Sequence, residues 1–159
     1  MLRAWSKAVQ RGDEVPDLTI VGASSSLRRR LLQIIVAENL GDRVTLAPFL
    51  EDQAFKRLSA SASMIVFPSD FEGFGLPILE GMLLGKPVVI SPEPGSVEAA
   101  GGHATVMLGW EPDQLADAIV AAMSVSDDEL RRAADWAATF TWDATVRKTA
   151  EALAHLTKR

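Results

Sequence analysis

Apolar residues in this chain fall into short continuous runs separated by stretches of helical periodicity. The runs at 17–22 (DLTIVG), 43–47 (RVTLA), 63–68 (SMIVFP), 86–91 (KPVVIS) and 104–108 (ATVML) are rich in Val, Ile and Thr and are predicted strands. Most are apolar at nearly every position rather than at alternate ones, the pattern of strands covered by helices on both faces. Helical patterns lie between them near 26–39, 51–60, 76–84 and 95–100. The alternation predicts an α/β fold, a doubly wound parallel sheet of about five strands with right-handed crossovers.

After residue 110 the pattern becomes helical only, which predicts extra C-terminal helices over about 112–157. EPDQLADAIVAAM has an acidic first turn. SDDELRRAADWAATF offers Ser126 as N-cap with Glu129 three positions on, a capping box. TWDATVRKTAEALAHL follows. At the other end the chain opens on a helix-like stretch, LRAWSKAV, ahead of its first strand. A domain that begins on a helix and a fragment of a larger protein would both open in this way. With no internal repeat, low-complexity tract or linker, residues 1–159 read as a single Rossmann-like domain.

Composition changes this picture mainly by exclusion. The chain has no cysteine, so disulfides and thiolate metal sites are not available. Its two histidines, His103 and His155, are far apart in sequence, and no metal or other cofactor is expected. A net charge of −5 argues against a general nucleic-acid binder. It leaves room for a small phosphorylated ligand, because a helix N-terminus holds phosphate without net basic charge. No apolar run approaches the roughly 20 residues of a membrane span, and the N-terminus lacks the apolar centre of a signal peptide. A soluble cytosolic protein is the default expectation, with the inner membrane face as the other place it could work.

The candidate chemistry lies in residues 68–91, PSDFEGFGLPILEGMLLGKPVVIS. A strand ends at Pro68, a turn follows, and a helix starts near Leu76 with Pro77 in its first turn, where a missing N–H costs nothing. Gly73 and Gly75 allow unusual dihedrals and close approach of the backbone to a ligand. The free N–H groups of the helix start would then face the crevice at the strand C-termini, as a phosphate cradle. At about 100° per residue, Glu80 lies within about 40° of both Leu76 and Leu84, inside an apolar stripe. A carboxylate buried there without partners costs several kcal/mol or becomes protonated. Either ligand hydroxyls receive it, two vicinal sugar hydroxyls being well suited, or it makes a structural bond within the protein. Spacing divides evenly between these two readings. Glu72 alone reads as a solvated loop carboxylate.

This block resembles the signature of retaining GT-B glycosyltransferases of the family 4 type (glycosyl transferases group 1), with an E-x7-E pattern from Glu72 to Glu80. The resemblance extends outward through DRVTLAPFLEDQAFKRLSASASMIVFPS, EPGSVEAAGGHATVM and FTWDATVRKTAEAL, nearly the whole chain. It implies that Glu80 binds the ribose hydroxyls of a nucleotide-sugar donor, and that Glu72, the candidate catalytic residue, lies against the donor sugar. Gly73, Phe74, Gly75 and Leu76 match the turn and helix start whose amides approach sugar and diphosphate. Glu98 matches a family glutamate near the base and ribose, and Ser96 and Val97 would present backbone groups to the base. The family transfers sugars with retention, usually without a protein-bound metal, by front-face attack in which the departing phosphate assists deprotonation of the acceptor.

The resemblance also implies what is lacking. A complete enzyme has a second, N-terminal Rossmann-like domain that binds the acceptor, so the acceptor is unreadable here. The family's donor domain begins with a strand and a loop supplying an Arg and a Lys to the diphosphate, and LRAWSKAV…PDLTIVG matches the helix and strand after it. Without those groups the chain alone should be a poor or inactive catalyst. Competing readings are a non-catalytic nucleotide-sugar-binding module, a subunit of a split enzyme, and an unrelated α/β domain with a structural Glu80.

Elsewhere the simpler readings are preferred. VGASSS (21–26) is a turn with an N-cap serine, and LRRR (27–30) is a solvated basic helix face. Lys86 has no assigned role, His103 and Trp110 are structural, and Trp142 anchors the terminal helix.

Overall fold

Every predicted strand forms, each shorter than its apolar run. In the computed structural model, which describes residues 1–156, the strands are β1 (Leu18–Val21), β2 (Val44–Ala47), β3 (Ile65–Phe67), β4 (Val88–Ile90) and β5 (Thr105–Val106). Turn formers trim them. Gly22, at φ 76°, ends β1; Pro68, with no N–H, ends β3, and Pro87 precedes β4. The helices are α1 (Leu2–Gln10), α2 (Ser25–Ala37), α3 (Asp52–Ser61), α4 (Leu76–Leu83), α5 (Pro94–Ala100), α6 (Pro112–Ala122), α7 (Asp127–Ala138) and α8 (Trp142–Leu156). The expected C-terminal helices are therefore present, and position 157 lies outside the described residues.

All pairings are parallel, but the sheet is interrupted. β1 pairs with β2, Leu18 opposite Val44 and Val21 opposite Ala47. β4 pairs with β3 on one edge and β5 on the other. Among the described residues no ladder joins β1 to β3, so the single five-strand sheet anticipated from sequence is two ladders. Burial follows the pairing. All three residues of β4 are buried, whereas all three of β3 are only half-buried.

The two ladders nevertheless share a layered core. Val66 and Val89 point to a cluster built from Leu2, Trp5 and Ala8 of α1, Leu18, Leu46, and Leu115 and Ile119 of α6. Ile65, Phe67, Val88 and Ile90 point the other way, to Ile78 and Met82 of α4, Ala99 of α5 and Ala133 and Ala137 of α7. Successive strand residues thus serve opposite helix layers, which is why the runs read as continuously apolar.

α1 is held by packing more than by charge. Lys7 and Arg11 reach Asp113 at 2.8 and 2.7 Å, and Arg11 reaches Asp117 at 2.6 Å. Such exposed pairs contribute about 0–1 kcal/mol each. Burying a large apolar side chain contributes about 1.5–3 kcal/mol, and Leu2 and Trp5 are both buried. The N-cap and basic-face readings hold: the Ser24 hydroxyl accepts from the Leu27 N–H at 3.3 Å, and Arg28, Arg29 and Arg30 are exposed, with Arg28 donating to the Leu46 carbonyl at 2.7 Å.

At α7 the capping box forms, with the Glu129 N–H donating to Ser126 Oγ and the Ser126 N–H to Glu129 Oε2 at 2.9 Å. His103 is structural as read, its ring 5.8 Å from that of Trp136. Two tryptophan expectations are corrected. Trp142 is 84% exposed and anchors nothing, because no element among the described residues covers that face of α8, where Val146 is also exposed. Trp110 is more than half exposed as well.

Gly101→Ala should destabilise the fold by about 2–4 kcal/mol in urea unfolding, from left-handed strain plus overpacking. Gly101 sits at φ 56° and a Cβ there would lie 2.3 Å from the Trp136 ring. Gly102→Ala, at φ 83° but facing open space, should cost only the strain, about 1–2 kcal/mol. Ser126→Ala should cost about 1 kcal/mol in the same measurement.

Candidate functional site

Parallel pairing brings the C-terminal ends of β3 and β4 side by side, with residues 68–75 leaving one and residues 91–93 the other. The two exits are tied together. The buried Ser91 hydroxyl donates to the Ser69 carbonyl, and Ser69 Oγ donates to the Phe71 carbonyl at 3.1 Å.

The turn then enters α4 through Gly75, the N-cap residue, at φ 82°. A Cβ there would lie 2.8 Å from Ile78 Cδ1, so both conformation and space require glycine. Gly73 differs from expectation: its φ is not in the left-handed region, and a Cβ there would meet nothing within 4 Å. Nothing inside the chain demands glycine at that position.

α4 settles the environment of Glu80. Its buried residues are Ile78, Leu79, Gly81 and Met82, and at about 100° per residue Glu80 lies roughly opposite the centre of that face. The stripe containing Glu80 is therefore the outer one. Leu76 is 62% and Leu84 40% exposed, and Glu80 is exposed with them. The expectation of a buried carboxylate is corrected, and so is that of a structural bond: no hydrogen bond or ion pair to the side chain of Glu80 or Glu72 occurs among the described residues. The physical reason is Gly81. A Cβ there would lie 3.0 Å from both Ile65 Cγ1 and Val88 Cγ2, so α4 rests on β3 and β4 along its glycine side and turns the carboxylate away.

α5 supports the turn from beside it. Glu93 is its N-cap, and the carboxylate accepts from the Ser96 N–H at 2.8 Å. That bond, aided by the Gly95 and Glu72 amides, holds the Glu93 carboxyl below its ordinary range against the opposing effect of desolvation. The Ser96 hydroxyl also favours the anion, although it closes no hydrogen bond by distance and angle and is fully buried. Contact with the turn is close, since a Cβ on Gly95 would lie 2.6 Å from the Glu72 carbonyl oxygen. Of the backbone groups that Ser96 and Val97 were expected to present to a base, the two N–H groups have partners within the protein. The Ser96 N–H is engaged by the Glu93 carboxylate and the Val97 N–H by the Glu93 carbonyl at 3.0 Å. Val97 and Glu98 do expose their side chains.

The third support comes from α7. The Phe74 ring meets Phe140 edge-on at 5.6 Å, and Phe140 meets Trp136 at 5.3 Å. Trp136 Nε1 donates to the Ala99 carbonyl at 2.9 Å. Sequence reasoning passed over Glu93, Gly95, Gly81, Trp136 and Phe140. The signals were a glutamate just before a helix-starting proline, and two aromatics four apart at and just past the end of a helix.

The structure thus brings Glu72, Gly73, Phe74, Gly75 and Leu76 to one open shelf, with Glu80 on the outer face of α4 and α5 alongside. Hollows of about 280 and 510 Å³ open instead at the N-terminal ends of the strands, around His103 and Pro87 and around Val15 and Met64. A third, around Leu32 and Val36, lies on α2. Among the described residues no group of three or more His, Cys, Asp or Glu side chains could hold a metal ion, and no helix is long and apolar enough to cross a membrane.

Comparison with known proteins agrees with this architecture. The chain is 32% identical over 148 residues to the D-inositol 3-phosphate glycosyltransferase of Paenarthrobacter aurescens, covering 89% of this chain and 36% of that protein. It is 40% identical over 88 residues to the O-antigen chain mannosyltransferase B of Escherichia coli, covering 54% of this chain and 22% of that one. It therefore spans about a quarter to a third of the length of these relatives. Among solved structures, Anabaena HepE in complex with UDP superposes with a TM-score of 0.79 at 24% identity, over 97% of this chain and 44% of HepE. A glycosyltransferase from Rickettsia africae ESF-5 gives 0.79 at 21% identity, over 99% of this chain and 44% of that one. Residues 1–124 match the family described as Glycosyl transferases group 1, and the chain belongs to that family.

Proposed function

We propose that this domain binds a nucleotide-sugar and forms the donor half of a retaining glycosyltransferase. The observation that carries this reading is the shelf itself: a glycine-capped helix start between two parallel strand ends, flanked by two carboxylates with no partner among the described residues. The N-terminus of the eight-residue α4 carries partial positive charge, which suits a diphosphate approached by the Gly73–Gly75 amides. Glu80 receives the ribose hydroxyls, each carboxylate oxygen accepting one. Its apolar neighbours Leu76 and Leu84 offer cover to the nucleoside. Glu72 lies against the donor sugar. Val97 and Glu98 border the base and ribose through their side chains. HepE, which shares this fold, is a complex with UDP, and that supports a nucleotide-sugar as the ligand class.

In the proposed reaction the acceptor hydroxyl attacks the anomeric carbon on the face from which the nucleotide leaves. The bond to the diphosphate oxygen breaks, and that oxygen takes the acceptor's proton, so configuration is retained without a protein-bound metal. The domain works in the cytosol or at the inner membrane face. Two features point to a further part of the protein. The free edges of β1 and β3 could accept one more parallel strand, whose following loop would emerge at the same end of the sheet as the shelf. The exposed stripe of α4 and the outer face of α8 suit a second domain that binds the acceptor. Catalysis by this chain alone should be weak, since each missing donor to transition-state charge is worth about 3–4 kcal/mol.

Titration calorimetry with UDP-, GDP- and ADP-sugars tests the reading, and failure of all three to bind would sink it. Glu80→Gln should weaken the nucleoside diphosphate about 10-fold or more, the loss of a charge-assisted bond. Glu72→Gln should leave that affinity within about twofold and act on the sugar. Equal losses for UDP alone in both variants would contradict this division. Binding without turnover, even with an acceptor domain supplied, would favour a non-catalytic module.

A further inference from the structure

We propose that Glu93 and Phe140 are positioning residues that hold the Glu72–Gly75 turn in place from two sides, so that the turn is formed before a donor arrives. The inference rests on the donor-binding reading for its purpose, though not for its geometry. From the α5 side, Glu93 caps its own helix by accepting from the Ser96 N–H at 2.8 Å, which fixes the helix start that carries Gly95. Gly95 leaves room for the Glu72 carbonyl, which a Cβ would meet at 2.6 Å. From the α7 side, the ring of Phe140 holds the ring of Phe74 edge-on at 5.6 Å. Phe140 is in turn backed by Trp136, which is fastened to α5 through the Ala99 carbonyl at 2.9 Å. α5 and α7 are therefore fastened to each other and reach the turn two residues apart, at Glu72 and Phe74.

Neither residue is placed in contact with the donor. Glu93 has its carboxylate engaged by the Ser96 N–H, and Phe140 acts through Phe74. The expected division follows from where the ligand parts lie. The ribose is held by Glu80, on the far side of α4 from its buried core, while sugar and diphosphate depend on the turn. Loosening the turn should therefore weaken the part of binding that the sugar and diphosphate contribute, and leave the nucleoside part alone. Preformed groups bind more tightly because their ordering is not charged to the binding step.

The test has two arms on the full chain. In amide hydrogen exchange without ligand, Glu93→Ala and Phe140→Ala should each accelerate the Ile78 amide, which donates to the Gly75 carbonyl of the turn at 3.0 Å, about 10-fold, while Val89 in β4 keeps its rate. Glu93→Gln and Phe140→Leu should recover part of the protection. Unchanged exchange at Ile78, or equal acceleration of Ile78 and β4, would overturn the proposal, the latter because it marks a purely structural role. In calorimetry, affinity for UDP-glucose (or GDP-mannose, if the guanine nucleotide is preferred) should fall about 10-fold in either alanine variant. Affinity for UMP or GMP should stay within about twofold. Equal loss for both ligands would overturn the positioning role. Failure of the unsubstituted chain to bind any nucleotide would overturn the donor reading, while the exchange arm still decides whether the turn is held.

Discussion

The seating of α4 on β3 and β4 is the constraint from which the rest of the site follows. Gly81 allows the helix to lie against Ile65 and Val88, where a Cβ would be crowded at 3.0 Å. With that contact made, Ile78, Leu79 and Met82 fill the space toward α5 and α7, and helical geometry leaves Glu80 no direction but outward. The same seating sets the approach of the preceding turn. The chain must leave β3 at Phe67, cross to the start of α4 and reverse through a left-handed Gly75. A larger residue at position 81 would move the helix, and with it both carboxylates.

Around that seat the turn is supported by elements far apart in sequence. Ser91 ties the β4 exit to the β3 exit, Glu93 and Gly95 bring α5 beneath Glu72, and Phe140 reaches Phe74 from the end of α7. Local chemistry alone would leave a loop of this kind, with two glycines, broadly mobile. Here it is bordered on three sides. The fourth side is open, with Phe71, Leu76 and Leu84 exposed. The sheet is divided in a related way, β1 and β3 each ending a ladder with no strand between them among the described residues.

Much of the fold was legible in the sequence because strand and helix are written in local periodicity. The runs 43–47 and 63–68 became β2 and β3, the pattern 76–84 became α4, and Ser126 with Glu129 formed the capping box as spelled. The family block from Glu72 to Glu80 was legible for the same reason, being contiguous. What misled was the inference from spacing to burial. Leu76, Glu80 and Leu84 do share a stripe, but a stripe has no inside until another element covers it, and none of the described residues covers this one. Trp142 failed likewise, since apolar character on α8 does not say which surface it meets. Glu93 and Phe140 were passed over because their significance lies in contacts across tens of residues.

The sequence by itself determined the alternation of elements, the glycine-capped entry to α4 and the placing of two carboxylates eight residues apart around it. These depend on backbone dihedrals and on spacing along one chain, which local residue types dictate. Tertiary structure alone decided that Glu80 faces outward, that the sheet parts between β1 and β3, and that α5 and α7 hold the turn. Those are outcomes of which surfaces meet, settled by packing between segments that no local pattern relates.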